Sequence, residues 1–123
     1  MRASDALGRY GEDLACRFLA DAGYRIIDRN WRSSEPEVPG ELDIVAVRGT
    51  TIAFCEVKTR RSDAFGSPSE AITPAKNARL RRLAAVWLRD HDHHVQWIRV
   101  DLIAVMRPIS GPARIEHVQG IEM

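Results

Sequence analysis

Gly40-Glu41-Leu42-Asp43-Ile44-Val45-Ala46-Val47-Arg48-Gly49-Thr50-Thr51-Ile52-Ala53-Phe54-Cys55-Glu56-Val57-Lys58 reads as two apolar, β-branched runs around a single breaker, Gly49-Thr50. Two such runs joined by a two-residue turn form a β-hairpin. The turn sets the register: Arg48 faces Thr51, Val47 faces Ile52, Val45 faces Phe54, Asp43 faces Glu56 and Glu41 faces Lys58. Alternation then places Ile52, Phe54, Glu56 and Lys58 on one face, with Asp43, Val45 and Val47 beside them, and gives Ala53, Cys55 and Val57 the other. A strand that is apolar on both faces is covered on both.

The charges in this hairpin need a reason. Directly opposed side chains have Cβ atoms roughly 5 Å apart, and like charges so placed repel. Burying them unpaired costs on the order of several kcal/mol each, so the Asp43–Glu56 pair calls for a cation. Lys58, on the same face, is one candidate. A divalent ion is the other, since hard carboxylate oxygens suit magnesium, manganese or calcium. An ion that keeps waters can activate one for attack on phosphorus while an adjacent ammonium stabilises the charge that develops. The constellation therefore reads as metal-assisted phosphodiester hydrolysis. The competing reading is a structural cluster in which Lys58 neutralises Glu56 and Asp43 is solvated at a strand end.

A chain of 123 residues is one domain's worth. No apolar run approaches the roughly 18 residues of a membrane span, and the charged start lacks a signal peptide's hydrophobic stretch. A cytoplasmic protein with no membrane partner is expected. Cys16 and Cys55 fall on a predicted helix and an apolar strand face, as reduced core thiols do, without the paired spacing of a zinc site. A net charge of +1 does not mark a nucleic-acid binder. Its distribution says more: Lys58, Arg60, Arg61, Lys76, Arg79, Arg81 and Arg82 are offset within their stretch only by Asp63 and Glu70. A basic region beginning at an acidic pair is what a polyanionic substrate requires. Arg60 and Arg61, nearest the pair, are the stronger candidates for phosphate contact, while Arg79, Arg81 and Arg82 equally suit the solvent face of an amphipathic helix.

The spacing predicts a first helix over about 5–22, capped by Ser4 and ended by Gly23. Leu7, Tyr10, Leu14, Ala15, Phe18, Leu19 and Ala22 form its apolar stripe, with Glu12 on the flank. Gly8 and Gly11 cost up to about 1 kcal/mol each in a helix, which implies close packing on the sheet or approach of substrate backbone. A strand over 24–31 follows, then the proline-rich link Ser33-Ser34-Glu35-Pro36-Glu37-Val38-Pro39. Residues 61–72, with turn signals at Phe65-Gly66 and Ser67-Pro68, form either a substrate-facing flap or a plain connector. A second helix opens at Thr73-Pro74 and buries Leu80, Leu83, Ala84 and Trp87. Lys76 sits on the apolar side of its first turn, where it either snorkels or points at an anion. His91-Asp92-His93-His94 reads as a polar turn. Strands over 95–106 and 113–118 complete the chain, with Asp101 paired to Arg99 on the same face.

Gly8-Arg9-Tyr10-Gly11-Glu12, Gly23-Tyr24, Arg29-Asn30-Trp31-Arg32, Gly40-Glu41-Leu42-Asp43, Phe54-Cys55-Glu56-Val57-Lys58-Thr59-Arg60, Phe65-Gly66, Lys76 and Val100-Asp101 resemble, in order and spacing, the YraN family of small bacterial endonuclease-like proteins. Asp43 with Glu56-Val57-Lys58 is similar to the Asp...Glu-x-Lys signature of the PD-(D/E)xK nuclease superfamily, which includes restriction enzymes and Holliday-junction resolvases. That signature alone is a weak pattern, whereas the ordered series of blocks is strong. One departure is the 33–39 link, longer and more proline-rich than the family pattern, which bears on the entrance to the site. The resemblance implies a restriction-endonuclease-like fold, a single α/β domain with a mixed sheet flanked by helices in the order α-β-β-β-α-β-β. It implies Asp43 and Glu56 as ligands of magnesium or manganese, assisted by Glu12 and the Val57 carbonyl, and Lys58 as the catalytic lysine. Arg60, Arg61, Lys76 and Arg79 would meet DNA phosphates, the substrate being DNA, branched or structured forms included. Relatives that cut two strands often act as dimers, which leaves a homodimer open. The alternative is a non-catalytic DNA-binding or scaffold protein that retains the fold; a third reading is hydrolysis of another phosphate ester.

Overall fold

Among the described residues the elements follow one another as α1 (Ala3–Asp21), β1 (Arg25–Arg32), β2 (Glu41–Arg48), β3 (Thr51–Arg60), α2 (Pro74–Asp90), β4 (Trp97–Met106) and β5 (Arg114–Val118). They belong to a computed structural model that describes residues 3–61 and 72–121. The β2–β3 hairpin has the register its turn dictates, from Arg48 beside Thr51 to Val45 beside Phe54. Gly49, at φ 61°, supplies the left-handed backbone that such a turn needs.

The strands form one mixed sheet in the order β1-β2-β3-β4-β5. β3 and β4 run parallel, paired from Thr51 beside Trp97 to Arg60 beside Met106, and the other described pairs are antiparallel. A parallel neighbour needs a crossover, and α2 supplies it on one face while α1 covers the other. β3 is thereby enclosed: Ile52 and Phe54 pack with Leu80, Leu83 and Trp87 of α2, whereas Ala53 and Cys55 pack with Ala15 and Leu19 of α1. Phe54 and Trp87 meet edge to face at 5.7 Å, and burying each such ring contributes roughly 2–3 kcal/mol. This α/β architecture is consistent with a restriction-endonuclease-like fold.

The helix ends follow local chemistry. Thr73 caps α2, its hydroxyl accepting from the Lys76 N–H at 3.1 Å, with Pro74 in the first turn. α1 already includes Ala3, so Ser4 lies within the helix and not at its cap. Its other end closes at Gly23, φ 92°, with the Tyr24 N–H donating to the Leu19 carbonyl at 2.9 Å. A Cβ on Gly11 would stand 1.7 Å from Thr59 Oγ1. Glycine there lets α1 lie directly against the end of β3, which assigns this residue to close packing.

His91 and His93 complete the core end of α2. His91 stacks on Trp87 with centroids 4.0 Å apart and bonds the Trp87 carbonyl through Nδ1 at 2.7 Å; His93 lies 5.4 Å from the same ring. The Arg99–Asp101 pair forms at 2.9 Å, with Asp101 fully buried. The flap or connector read over 61–72, with its Phe65-Gly66 and Ser67-Pro68 turns, falls almost wholly outside the described residues. No described helix is long and apolar enough to cross a membrane.

Candidate functional site

The β2–β3 ladder stops at Ile44 opposite Cys55. The projected pairs Asp43–Glu56 and Glu41–Lys58 lie beyond it, where the two strands part. β3 continues alongside β4 to Arg60, so its backbone groups facing the gap need partners other than β2. The Val57 N–H finds one in the Asp43 carboxylate, Oδ2 accepting at 2.8 Å. Glu41 turns to Arg32 of β1 at 2.9 Å instead of meeting Lys58.

Strict alternation also breaks at this level. Ile44 and Ala46 face α1 and Val45 faces α2, yet Leu42 joins the α2-side core, out of step with Ile44. Asp43 lies where this alternation breaks, its carboxylate accepting from the Val57 N–H across the opening with Glu56 as the largest charge acting on it. Two neighbouring strands separate here because one of them changes face.

The electrostatics of the opening are unbalanced. Burial, and then the nearby Glu56 carboxylate, push the Asp43 pKa up to about 7; the Val57 N–H works against the rise, and Glu12 and Glu41 add to it. Glu12 enters from the flank of α1. Burial raises its pKa, the Asn30 side chain and the charge of Arg29 oppose the rise, and its Oε1 is enclosed with no hydrogen-bond partner among the described residues. Lys58 Nζ stands 4.0 Å from Glu56 Oε1, the ion pair expected from sequence, whereas the largest charges acting on Asp43 are those of other acids.

Lys76 reaches the same place from the first turn of α2. Its pKa is lowered chiefly by the charge of Lys58, then by burial, with Glu56 opposing. Two ammonium groups thus converge where the acids end. Arg60 ends β3 half-buried, its carbonyl accepting from the Arg107 N–H at 2.8 Å, and Arg61 follows it exposed. Arg79 is exposed on α2, its Cδ 3.8 Å from where a Cβ on Gly40 would lie, next to the start of β2. Arg81 is tied instead to the Ile121 carbonyl at 2.9 Å.

A cation fits this donor set. Asp43, Glu56, Glu12 and the Val57 carbonyl are all hard oxygen donors, and positive charge would relieve both the raised Asp43 and the unpartnered Glu12 oxygen. Among the described residues no three acidic, histidine or cysteine side chains gather closely enough to hold an ion unaided. Asp43, Glu56 and Glu12 therefore do not form a three-carboxylate cage. Magnesium commonly takes only one or two carboxylates and completes its shell with water. Asn30, part of the Arg29-Asn30-Trp31-Arg32 block, had no role in the sequence reading; its one signal was an asparagine, tolerant of left-handed backbone, inside a strand.

Comparison with known proteins covers all of these positions but adds no chemistry. The family described as "Uncharacterised protein family UPF0102" matches residues 11–105, a span that takes in Glu12, Asp43, Glu56, Lys58 and Lys76. A UPF0102 protein of Beutenbergia cavernae is 53% identical over 121 residues, 98% of this chain and 99% of its own. Another, from Frankia casuarinae, is 52% identical over 120 residues, 98% of each chain, and one from Streptomyces griseus is 50% identical over 122 residues. With family and relatives matched across nearly the whole fold, the chain belongs to UPF0102.

Proposed function

We propose that this protein is a metal-dependent endonuclease of the PD-(D/E)xK kind, akin to the YraN proteins, that hydrolyses phosphodiester bonds in DNA. The observation that carries the reading is Asp43: a half-buried carboxylate, crowded by Glu56 at the mouth of an opening hairpin, with Lys58 and Lys76 converging on Glu56. Asp43 and Glu56 would hold a magnesium or manganese ion, assisted by Glu12 and the Val57 carbonyl. Such an ion, when bound, polarises a phosphoryl oxygen and lowers the pKa of a coordinated water.

The remaining steps belong to the protein. Lys58, about a third exposed, orients the attacking water and stabilises negative charge on the phosphorus oxygens as the bond breaks. Lys76 takes the neighbouring phosphate, and Arg60, Arg61 and Arg79 extend the contact along the strand, positioning the backbone without reading bases. Binding through such contacts weakens with salt.

The test is cleavage of labelled linear duplex, single strand, flap and four-way junction DNA with manganese, magnesium or EDTA, wild type against Lys58→Ala. Metal-dependent cutting that falls at least about 100-fold in the variant supports the reading, and the ranking of substrates shows whether branched DNA is preferred. A folded, manganese-binding wild type that cuts none of them would instead indicate a non-catalytic DNA-binding role.

A further inference from the structure

Asn30 is the one non-glycine residue with positive φ among those described, at 52°. It lies inside β1, where such backbone is foreign, and left-handed conformation costs a typical L-residue roughly 1–2 kcal/mol. Its neighbours show what the conformation does. Asp28 faces α2, accepting from Trp87 Nε1 at 2.9 Å, and Arg29 faces α1, donating to Asp13 at 2.8 Å. Alternation would return Trp31 to the α1 side, yet it packs with the α2-side core and against His91. β1 therefore changes face at Asn30.

β2 changes face at the matching level. Arg29 pairs with Ile44 and Trp31 with Leu42, which sets Asn30 opposite Asp43, and Leu42 is the residue out of step. Past the bulge between Ile26 and Asp28, the two strands turn together in constant register from Arg29 to Arg32. The turn leaves Asp43 pointing into the hairpin opening, onto the Val57 N–H. On the other side lies Glu12, whose pKa the Asn30 side chain lowers against the rise that burial causes, and whose Oε1 is enclosed with no hydrogen-bond partner among the described residues.

From this we infer that Asn30 is a positioning residue of the acidic site: its left-handed backbone turns Asp43 into the hairpin opening, and its carboxamide holds Glu12 against it. The inference deepens the nuclease reading and rests on it for the purpose of that positioning. Its two halves separate by substitution. Asn30→Gly accepts the left-handed backbone and removes only the carboxamide; Asn30→Ala removes the carboxamide and strains the backbone as well.

The experiment has a metal-free arm and a metal arm. In EDTA, melting temperatures are measured for wild type, Asn30→Gly, Asn30→Ala, Glu12→Gln and the Asn30→Gly/Glu12→Gln double variant. Asn30→Ala should melt below Asn30→Gly, and the Asn30→Gly and Glu12→Gln shifts should fail to add, because the two residues share one interaction. Equal or reversed melting of the Ala and Gly variants would overturn the backbone role, and additive shifts would overturn the hold on Glu12. Calorimetric titration with Mn²⁺ then reads the consequence for the site. Asn30→Gly should bind it about 10-fold or more weakly than wild type, the usual effect of removing a partner of a ligand, with no further loss when added to Glu12→Gln. Unchanged affinity in Asn30→Gly would overturn the positioning. A wild type that binds no Mn²⁺ while the metal-free shifts still fail to add would sink the metal reading and keep the Asn30–Glu12 hold.

Discussion

Asp101 and Asp43 are both carboxylates set among apolar strand residues of one sheet, and the sheet treats them in opposite ways. Asp101 is fully buried, yet its oxygens receive Arg99 Nε at 3.2 Å and Nη2 at 2.9 Å, His117 Nε2 at 2.8 Å and the Gly120 N–H at 2.9 Å. Burial alone would raise its pKa; the hydrogen bonds from His117, Arg99 and Gly120 outweigh it and hold the carboxyl below its ordinary value. Asp43 is less buried and has one backbone donor among the described residues, and the largest charges acting on it are those of Glu56, Glu12 and Glu41. Depth does not distinguish these two acids. Unmet charge does, because a site that exists only to be folded has no reason to leave a carboxylate short of partners.

The contrast can be broken from either end. Its largest consequence falls on the unbalanced side: Glu56→Gln should lower DNA cleavage a thousandfold or more, about 4 kcal/mol of transition-state stabilisation, while the protein stays folded by circular dichroism. Wild-type cutting by a clean Glu56→Gln preparation would show that the acids at the hairpin opening do not perform the chemistry. On the balanced side, Asp101→Asn should cost about 3 kcal/mol of stability in urea denaturation, because it leaves Arg99 facing a neutral partner in a buried network. A loss below about 1 kcal/mol would mean that Asp101 is not the keystone its hydrogen bonds suggest.

Much of this was legible in the chain because it follows from local rules. Gly49-Thr50 fixed the hairpin register to the residue, Thr73-Pro74 marked the start of α2, and Leu80, Leu83, Ala84 and Trp87 marked its buried face, since turn chemistry, capping and helical period act over a few residues. The opening of the hairpin was not legible. It coincides with a break in alternation between Leu42 and Ile44 on β2, level with Arg29 to Trp31 on β1, and no local rule marks such a break. The convergence of Lys76 on Lys58 was half visible: the helical wheel put Lys76 on the inner side of α2, but only the packing of that helix on β3 supplies what it meets. The depth of the Asp101 network was hidden for the same reason, because His117 and Gly120 reach it from β5 and the segment after it.

The smallest effect carries the most telling sign. Burial and the Glu56 charge push the Asp43 pKa up from its ordinary 3.8 to about 7 in the folded state, so between those values the native state binds more proton than the unfolded one. Its contribution to stability is complete below the unfolded value and is lost as pH rises through about 7. Asp101, held low, contributes in the reverse direction, present above the ordinary carboxylate range and lost as pH falls through its folded value. Asp43→Asn keeps an acceptor for the Val57 N–H without the charge, and in EDTA at about pH 8 it should stabilise the protein by about 1–2 kcal/mol, an advantage that disappears near pH 4. Urea denaturation of both proteins at the two pH values checks this. Manganese should close the gap at pH 8 by stabilising the wild type and not the variant. A variant less stable than wild type at pH 8 without metal would mean that Asp43 is already balanced by a counter-charge in the folded protein, and Asp43 would then belong with Asp101 as architecture.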